Sequence, residues 1–228
     1  MLFLYLSILF GILHWFFVWK ESRKGIVITK PLMMLFLILW EILYGKIFTL
    51  AANPESRQMI WFLIGLVFCT IGDMFLMFRE RHFLKGLIAF LTGHVFYVIA
   101  FKTLFTLNAP MVPAVIFAAI VLLSGGLIYK RLYDGMLAND KSKMVLPVAF
   151  YTVVISAMLY SAIMTQYLGE TKYAYLLITG AVLFYVSDVI NAWAEFVGPV
   201  KRHRFKIMTT YYLAELLIAM GAVYTFLF

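Results

Sequence analysis

The sequence has one cysteine, four histidines and only 13% charged residues in 228 positions, and each scarcity excludes something. A lone cysteine, Cys69, cannot close an internal disulfide, so no disulfide framework holds this chain together. Four scattered histidines and one cysteine supply no run with the ligand spacing of a zinc site, so neither a metal nor another cofactor is expected. Proline is sparse too. Pro31, Pro54, Pro110, Pro113, Pro147 and Pro199 are all expected in connections or in a first helical turn, where no amide donor is lost. Long polar stretches are missing as well. The longest connection, "YKRLYDGMLANDKSK" at 129–143, leaves no room for a soluble domain, so residues 1–228 read as one polytopic unit whose chemistry lies inside a helix bundle.

What remains is apolar. A content of 64% hydrophobic residues exceeds what a water-soluble core requires. A bilayer core about 30 Å thick needs roughly 20 apolar residues per helical span. Eight such runs are present, at 2–19, 32–50, 60–78, 83–101, 111–129, 144–164, 173–194 and 207–228. The expected class is therefore an all-α integral membrane protein with eight transmembrane helices. The first run lacks a basic leader and a small-residue cleavage site, and is expected to persist as a membrane helix.

Lysine and arginine are distributed unevenly. Alternate connections, 20–30, 79–85, 130–143 and 201–206, hold 15 of the 19, against Arg57, Lys102 and Lys172 on the other side and Lys46 within a span. The positive-inside rule places the basic connections in the cytoplasm and both termini outside. The formal net charge of +8 is then mostly topological bias, attractive to anionic membrane lipids and too dispersed for a nucleic-acid partner.

Two segments echo one another, "GLVFCTIGDMF" at 65–75 and "GAVLFYVSDVI" at 180–190, with Asp73 and Asp188 in equivalent places. Each aspartate lies in the third span of a four-helix half, so residues 1–105 and 106–228 are candidate parallel repeats related by an axis along the membrane normal. Helix rise puts both carboxylates roughly 9–10 Å beneath the basic boundary, where they would face each other across a shared cavity. The fourth spans carry His94 and Glu215 at matching depth, roughly 14 Å from the same face. Tyr97 shares a helix face with His94, Tyr211 with Glu215, and Asn191 with Asp188.

An ionisable group at such depth costs at least about 2.5–3.5 kcal/mol on insertion scales, so it ordinarily faces a wet or protein-lined interior. Two readings stand. The aspartates are interhelical hydrogen-bonding groups, or they line a functional site. For His94 the structural and functional readings weigh alike. Glu41 and Lys46, five apart, are expected on different helix faces, and His14 reaches the depth of Asp73.

Six segments, "TKPLMM" at 29–34, "GLVFCTIGDMFLM" at 65–77, "FLKGLIAFLTGHVFYVIAF" at 83–101, "LPVAFYTVVISAM" at 146–158, "GAVLFYVSDVINAW" at 180–193 and "TYYLAELLIAMG" at 210–221, together resemble the YhhN-like family of membrane lysoplasmalogenases. The resemblance implies an eight-helix fold and hydrolysis of the vinyl ether bond of 1-alkenyl lysophospholipids. The products would be a fatty aldehyde and glycerophosphoethanolamine or glycerophosphocholine. It also implies that paired intramembrane aspartates, here Asp73 and Asp188, are catalytic. Glu215 departs from the family pattern, which more often has glutamine there. Asp73 is expected as the acid and Asp188 as the base, and Lys30 as the contact for the substrate phosphate, with His94, Tyr97, Asn191, Tyr211 and Glu215 as further binding residues. The corresponding location is the cell membrane for a bacterial chain or the endoplasmic reticulum for a eukaryotic one. The alternative is a proton-coupled transporter or lipid-binding protein using the same aspartates, against which the expected lack of prolines inside spans argues.

Overall fold

A computed structural model describes residues 1–45, 47, 54–105, 111–169 and 171–227. The described residues form α1 (Leu2–Trp19), α2 (Arg23–Tyr44), α3 (Pro54–Leu76), α4 (Arg79–Lys102), α5 (Met111–Ala138), α6 (Val145–Tyr167), α7 (Ala174–Phe196) and α8 (His203–Leu227), with a short 3₁₀ turn at Ser142–Met144. All eight long helices are apolar enough to cross a bilayer. Eight helices were expected and eight are present, with no strand among the described residues.

Two boundaries differ most from those read off the hydrophobic runs. Helix α2 begins at Arg23 rather than near residue 32, so Lys30 lies a third of the way along it and not at its mouth. Its first turns hold Arg23, Lys24 and Lys30, which dilute the apolar signal, but a helix needs only its buried stripe to be apolar. Pro31 accordingly lies inside α2, contrary to the expectation that no proline interrupts a span. It forfeits one i→i−4 hydrogen bond, which tertiary packing in a bundle tolerates. The sequence argument against transport therefore loses its premise at this position. Helix α5 likewise runs on to Ala138, taking in much of the polar stretch read as a connection. Lys46 and Pro110 lie outside the described residues.

Sequential helices pack as pairs, α1 on α2, α3 on α4, α5 on α6 and α7 on α8, and α4 on α6 and α3 on α8 join the two halves of the chain. Lipid tails are as apolar as leucine, so close van der Waals approach rather than hydrophobicity drives such pairing, and small residues mark the seams. In the α3–α4 seam a Cβ on Gly93 would stand 2.6 Å from the Cys69 sulfur and 3.1 Å from the Gly65 carbonyl oxygen. In the α7–α8 seam a Cβ on Gly180 would stand 2.9 Å from the Ala214 carbonyl oxygen. These contacts fix the helices that carry Asp73, His94, Asp188 and Glu215. Helix α5 is the outlier, packing only on α6, α7 and the 3₁₀ turn and exposing most of its apolar surface.

A carboxylate-lined cavity beneath the basic face

Asp73 and Asp188 line one cavity of about 1030 Å³, which extends to the α1–α2, α3–α4 and α7–α8 turns. The α1–α2 turn contributes Glu21 to its wall, the first turns of α2, α4 and α8 contribute Arg23, Arg81, His203 and Arg204, and the helices contribute His14, Lys30, Asn191 and Tyr211 deeper in. The mouth is therefore cationic and the floor carries carboxylates. One end of the bundle holds most of the lysines and arginines, and the cavity opens there.

The two aspartates differ in their surroundings. Asp73 is buried, and its Oδ1 lies 2.7 Å from the Lys30 ammonium, whose side chain is only 6% exposed. A buried ion pair of this geometry repays much of its desolvation, and removing one partner leaves a costly unpaired charge. Its second oxygen, Oδ2, has no hydrogen-bond partner among the described residues. Lys30, expected to meet a substrate phosphate, lines the cavity and pairs there with this carboxylate.

Asp188 is the more accessible of the two, its side chain 17% exposed. Its Oδ2 accepts a hydrogen bond from the Tyr151 hydroxyl, and His94 Nε2 lies 3.0 Å from that oxygen and 2.9 Å from the tyrosine Oη. With Tyr151 donating to the carboxylate, a proton on Nε2 can bond either oxygen, so the three groups are mutually compatible. Both donors converge on Oδ2, and Asp188 lines the cavity.

Behind this wall lies a layer of buried polar groups. Tyr97 donates to Glu215 Oε2, and Glu215 Oε1, the Tyr211 hydroxyl and both Glu41 oxygens have no hydrogen-bond partner among the described residues. His94, Tyr97 and Glu215 are fully buried and are not among the residues lining the cavity. Asn191 and Tyr211 do line the cavity, as does His14, whose Nδ1 lies 3.0 Å from Thr29 Oγ1. No group of three or more His, Cys, Asp or Glu residues among the described ones converges as a metal site.

Tyr151 was missed by sequence reasoning. A tyrosine among apolar residues is ordinary in a membrane helix, and only the packing of α6 on α4 and α7 reveals its partners. Its hydroxyl orients Asp188, so Tyr151→Phe should lower turnover about 10- to 100-fold, less than the loss of a general acid or base itself, while the purified protein stays monodisperse. Unchanged turnover would show the hydrogen bond to be catalytically idle.

The YhhN family model matches residues 25–222, a stretch that includes every cavity-lining carboxylate except Glu21. A rat protein named lysoplasmalogenase TMEM86B is 30% identical over 201 residues, covering 88% of this chain and 73% of the relative. A human protein named lysoplasmalogenase TMEM86A is 30% identical over 179 residues, covering 76% of this chain and 68% of its own length. A Dictyostelium discoideum protein named lysoplasmalogenase homolog is 23% identical over 241 residues, covering 89% of this chain and 79% of the relative. No solved structure matches the chain.

Proposed function

The chain belongs to the YhhN family, and from that premise we propose that it is a membrane-embedded lysoplasmalogenase, a hydrolase of the vinyl ether bond of 1-alkenyl lysophospholipids, with Asp73 and Asp188 as its catalytic groups. The observation that carries this reading is the single cavity lined by both carboxylates beneath a cationic mouth, together with the names of the relatives. A lysophospholipid is an anionic head on one apolar chain, and Arg23, Arg81 and Arg204 at the mouth suit its phosphate as bidentate donors.

The reaction asks for one proton donor and one proton acceptor. A proton adds to the second carbon of the alkenyl chain, forming a C–H bond and an oxocarbenium ion on the first. Water attacks that carbon and gives up a proton. The hemiacetal then gives up its hydroxyl proton, which restores the donor, and breaks its bond to the glycerol oxygen, which takes the proton first released by water, leaving an aldehyde and a glycerophospho-alcohol. The scheme parallels glycoside hydrolysis, where one carboxyl donates and an ionised partner steadies the cation or activates water.

The surroundings favour a division of labour opposite to the one expected from sequence. Asp73, paired with the Lys30 ammonium, suits the carboxylate that faces the oxocarbenium and receives the proton of water. Asp188, which lines the cavity with its side chain 17% exposed and has Oδ2 held by Tyr151 and His94, suits the donor. A coupled pair exchanges these roles within a cycle, because the hydroxyl proton of the hemiacetal must return to the donor.

The direct test is release of long-chain aldehyde from 1-alkenyl lysophosphatidylcholine or lysophosphatidylethanolamine by purified protein in detergent. A transporter or binding protein would release none. Activity should survive EDTA, since no described set of side chains assembles a metal site. Loss of turnover restored by added zinc would refute that expectation. We also propose that the basic turns face the cytoplasm, so single cysteines placed in 20–22 or 198–202 should resist an impermeant thiol reagent in intact cells. Labelling of those positions from outside would reverse the orientation.

A further inference from the structure

A second, narrower space adjoins the cavity and is almost wholly apolar. Leu76, Phe83, Phe90, Asp188 and Asn191 line both, so the two spaces meet at the catalytic carboxylate. Beyond that junction the slot is walled by Leu87 of α4, Ile128 and Leu132 of α5, Thr152 and Ile155 of α6, and Ala192 of α7.

Its position in the bundle decides which way it leads. Helices α4 and α5 do not pack on each other among the described residues, yet both line the slot, which therefore occupies the gap between them. Toward the basic turns, Phe83 of α4 and Phe196 of α7 meet edge to face with ring centroids 6.2 Å apart, which narrows the slot at that end. Leu87, Ile128 and Thr152 are only half-buried, and α5 beside them presents mostly lipid-facing surface. The remaining way out is sideways, into the hydrocarbon.

We propose that this slot is the binding site for the hydrocarbon chain of a single-chain phospholipid, entered laterally from the bilayer between α4 and α5. The inference rests on the hydrolase reading for the identity of the lipid, and adds where its chain lies. An amphiphile with its phosphate at the arginines and its chain in the slot must cross the junction between the two spaces. The bond between head and chain then lies beside Asp188. A chain directed instead along the α1, α2 and α8 wall of the wide cavity would run past Val18, Val27 and Met208, on the opposite side of the carboxylates. The two paths predict different contacts.

A non-hydrolysable 1-alkyl lysophosphatidylcholine with a diazirine on the fourth chain carbon reads the path directly, whether or not the protein cleaves vinyl ethers. Photolysis of the purified full chain with this probe should label peptides containing Leu87, Ile128, Thr152 or Ala192, and excess unlabelled lysophosphatidylcholine should suppress that labelling at least tenfold. Ala192→Phe, or Thr152→Phe where the first variant fails to fold, should cut slot labelling by a similar factor. It should also lower kcat/KM for a 16-carbon alkenyl chain at least fivefold more than for a four-carbon one. Labelling confined to the α1, α2 and α8 wall, or spread over lipid-facing residues without competition, overturns the proposal. So does an equal fall in kcat/KM for both chain lengths. Competed slot labelling without any aldehyde release would leave the slot standing and remove the hydrolase reading, so the two failures are distinct.

Discussion

Aldehyde release should fall at least 100-fold in Asp188→Asn, with the protein still inserted and monodisperse in detergent. Asparagine keeps the shape of the side chain and an oxygen that accepts from Tyr151, whose hydroxyl bonds Asp188 Oδ2 in the native protein, but it neither gives nor takes a proton at neutral pH. A general acid or base contributes about 10²–10⁴ in rate, so a smaller loss is too little for either role. Asp73→Asn should be equally inactive but harder to interpret alone, because it leaves the buried Lys30 ammonium, 2.7 Å from Asp73 Oδ1, without its counter-charge. Breaking such a pair costs about 3–5 kcal/mol. The double variant Lys30→Met/Asp73→Asn removes both charges and should recover stability without activity. Near-normal turnover in folded Asp188→Asn would place the catalytic pair elsewhere.

The legibility of this site follows from the solvent. In a bilayer a buried carboxylate is costly enough to stand out from sequence alone, which is why Asp73 and Asp188 could be picked from an apolar run and placed at similar depth. Eight spans were legible for the same reason. Neutral polar groups carry no such signal, and Tyr151 is one of 14 tyrosines, distinguished only by the helix against which α6 happens to pack. Lys30 was legible as a residue, but its pairing with Asp73 was not. Hydropathy averages all faces of a helix, so the three cations in the first turns of α2 masked a continuous helix, and the lysine that turns inward was counted with those at the surface. That His94, Tyr97 and Glu215 are fully buried and do not line the cavity was not legible, since helical periodicity gives a face and not the neighbour it meets. The apolar slot has no sequence counterpart at all, as it arises from two helices that fail to touch.

Lys30 supplies the second large effect, and its pairing with Asp73 suggests a different direction from a phosphate contact. A lysine that merely held phosphate would act equally on ground and transition states, so its loss would raise KM and spare kcat. A lysine that holds Asp73 ionised acts on the chemical step. In Lys30→Met the buried carboxyl loses its ion-pair partner, and an unpaired buried acid takes up a proton rather than bear the cost of its charge. It can then neither steady an oxocarbenium ion nor accept a proton from water. We expect kcat to fall at least 100-fold in Lys30→Met, the scale of a lost acid–base group, with KM for 1-alkenyl lysophosphatidylcholine within about threefold of normal, the range left to a group outside uniform binding. Arg204→Gln, at the cavity mouth, should do the reverse and act mainly on KM. Lys30→Arg is a sharper probe still, because it keeps the charge but replaces a point ammonium with a planar fork that a pocket shaped for lysine cannot seat without displacing Asp73. It should remain folded and lose most of its turnover. A Lys30→Met enzyme with normal kcat and a raised KM would return the residue to the headgroup, and would leave Asp73 needing some other cause for its charge.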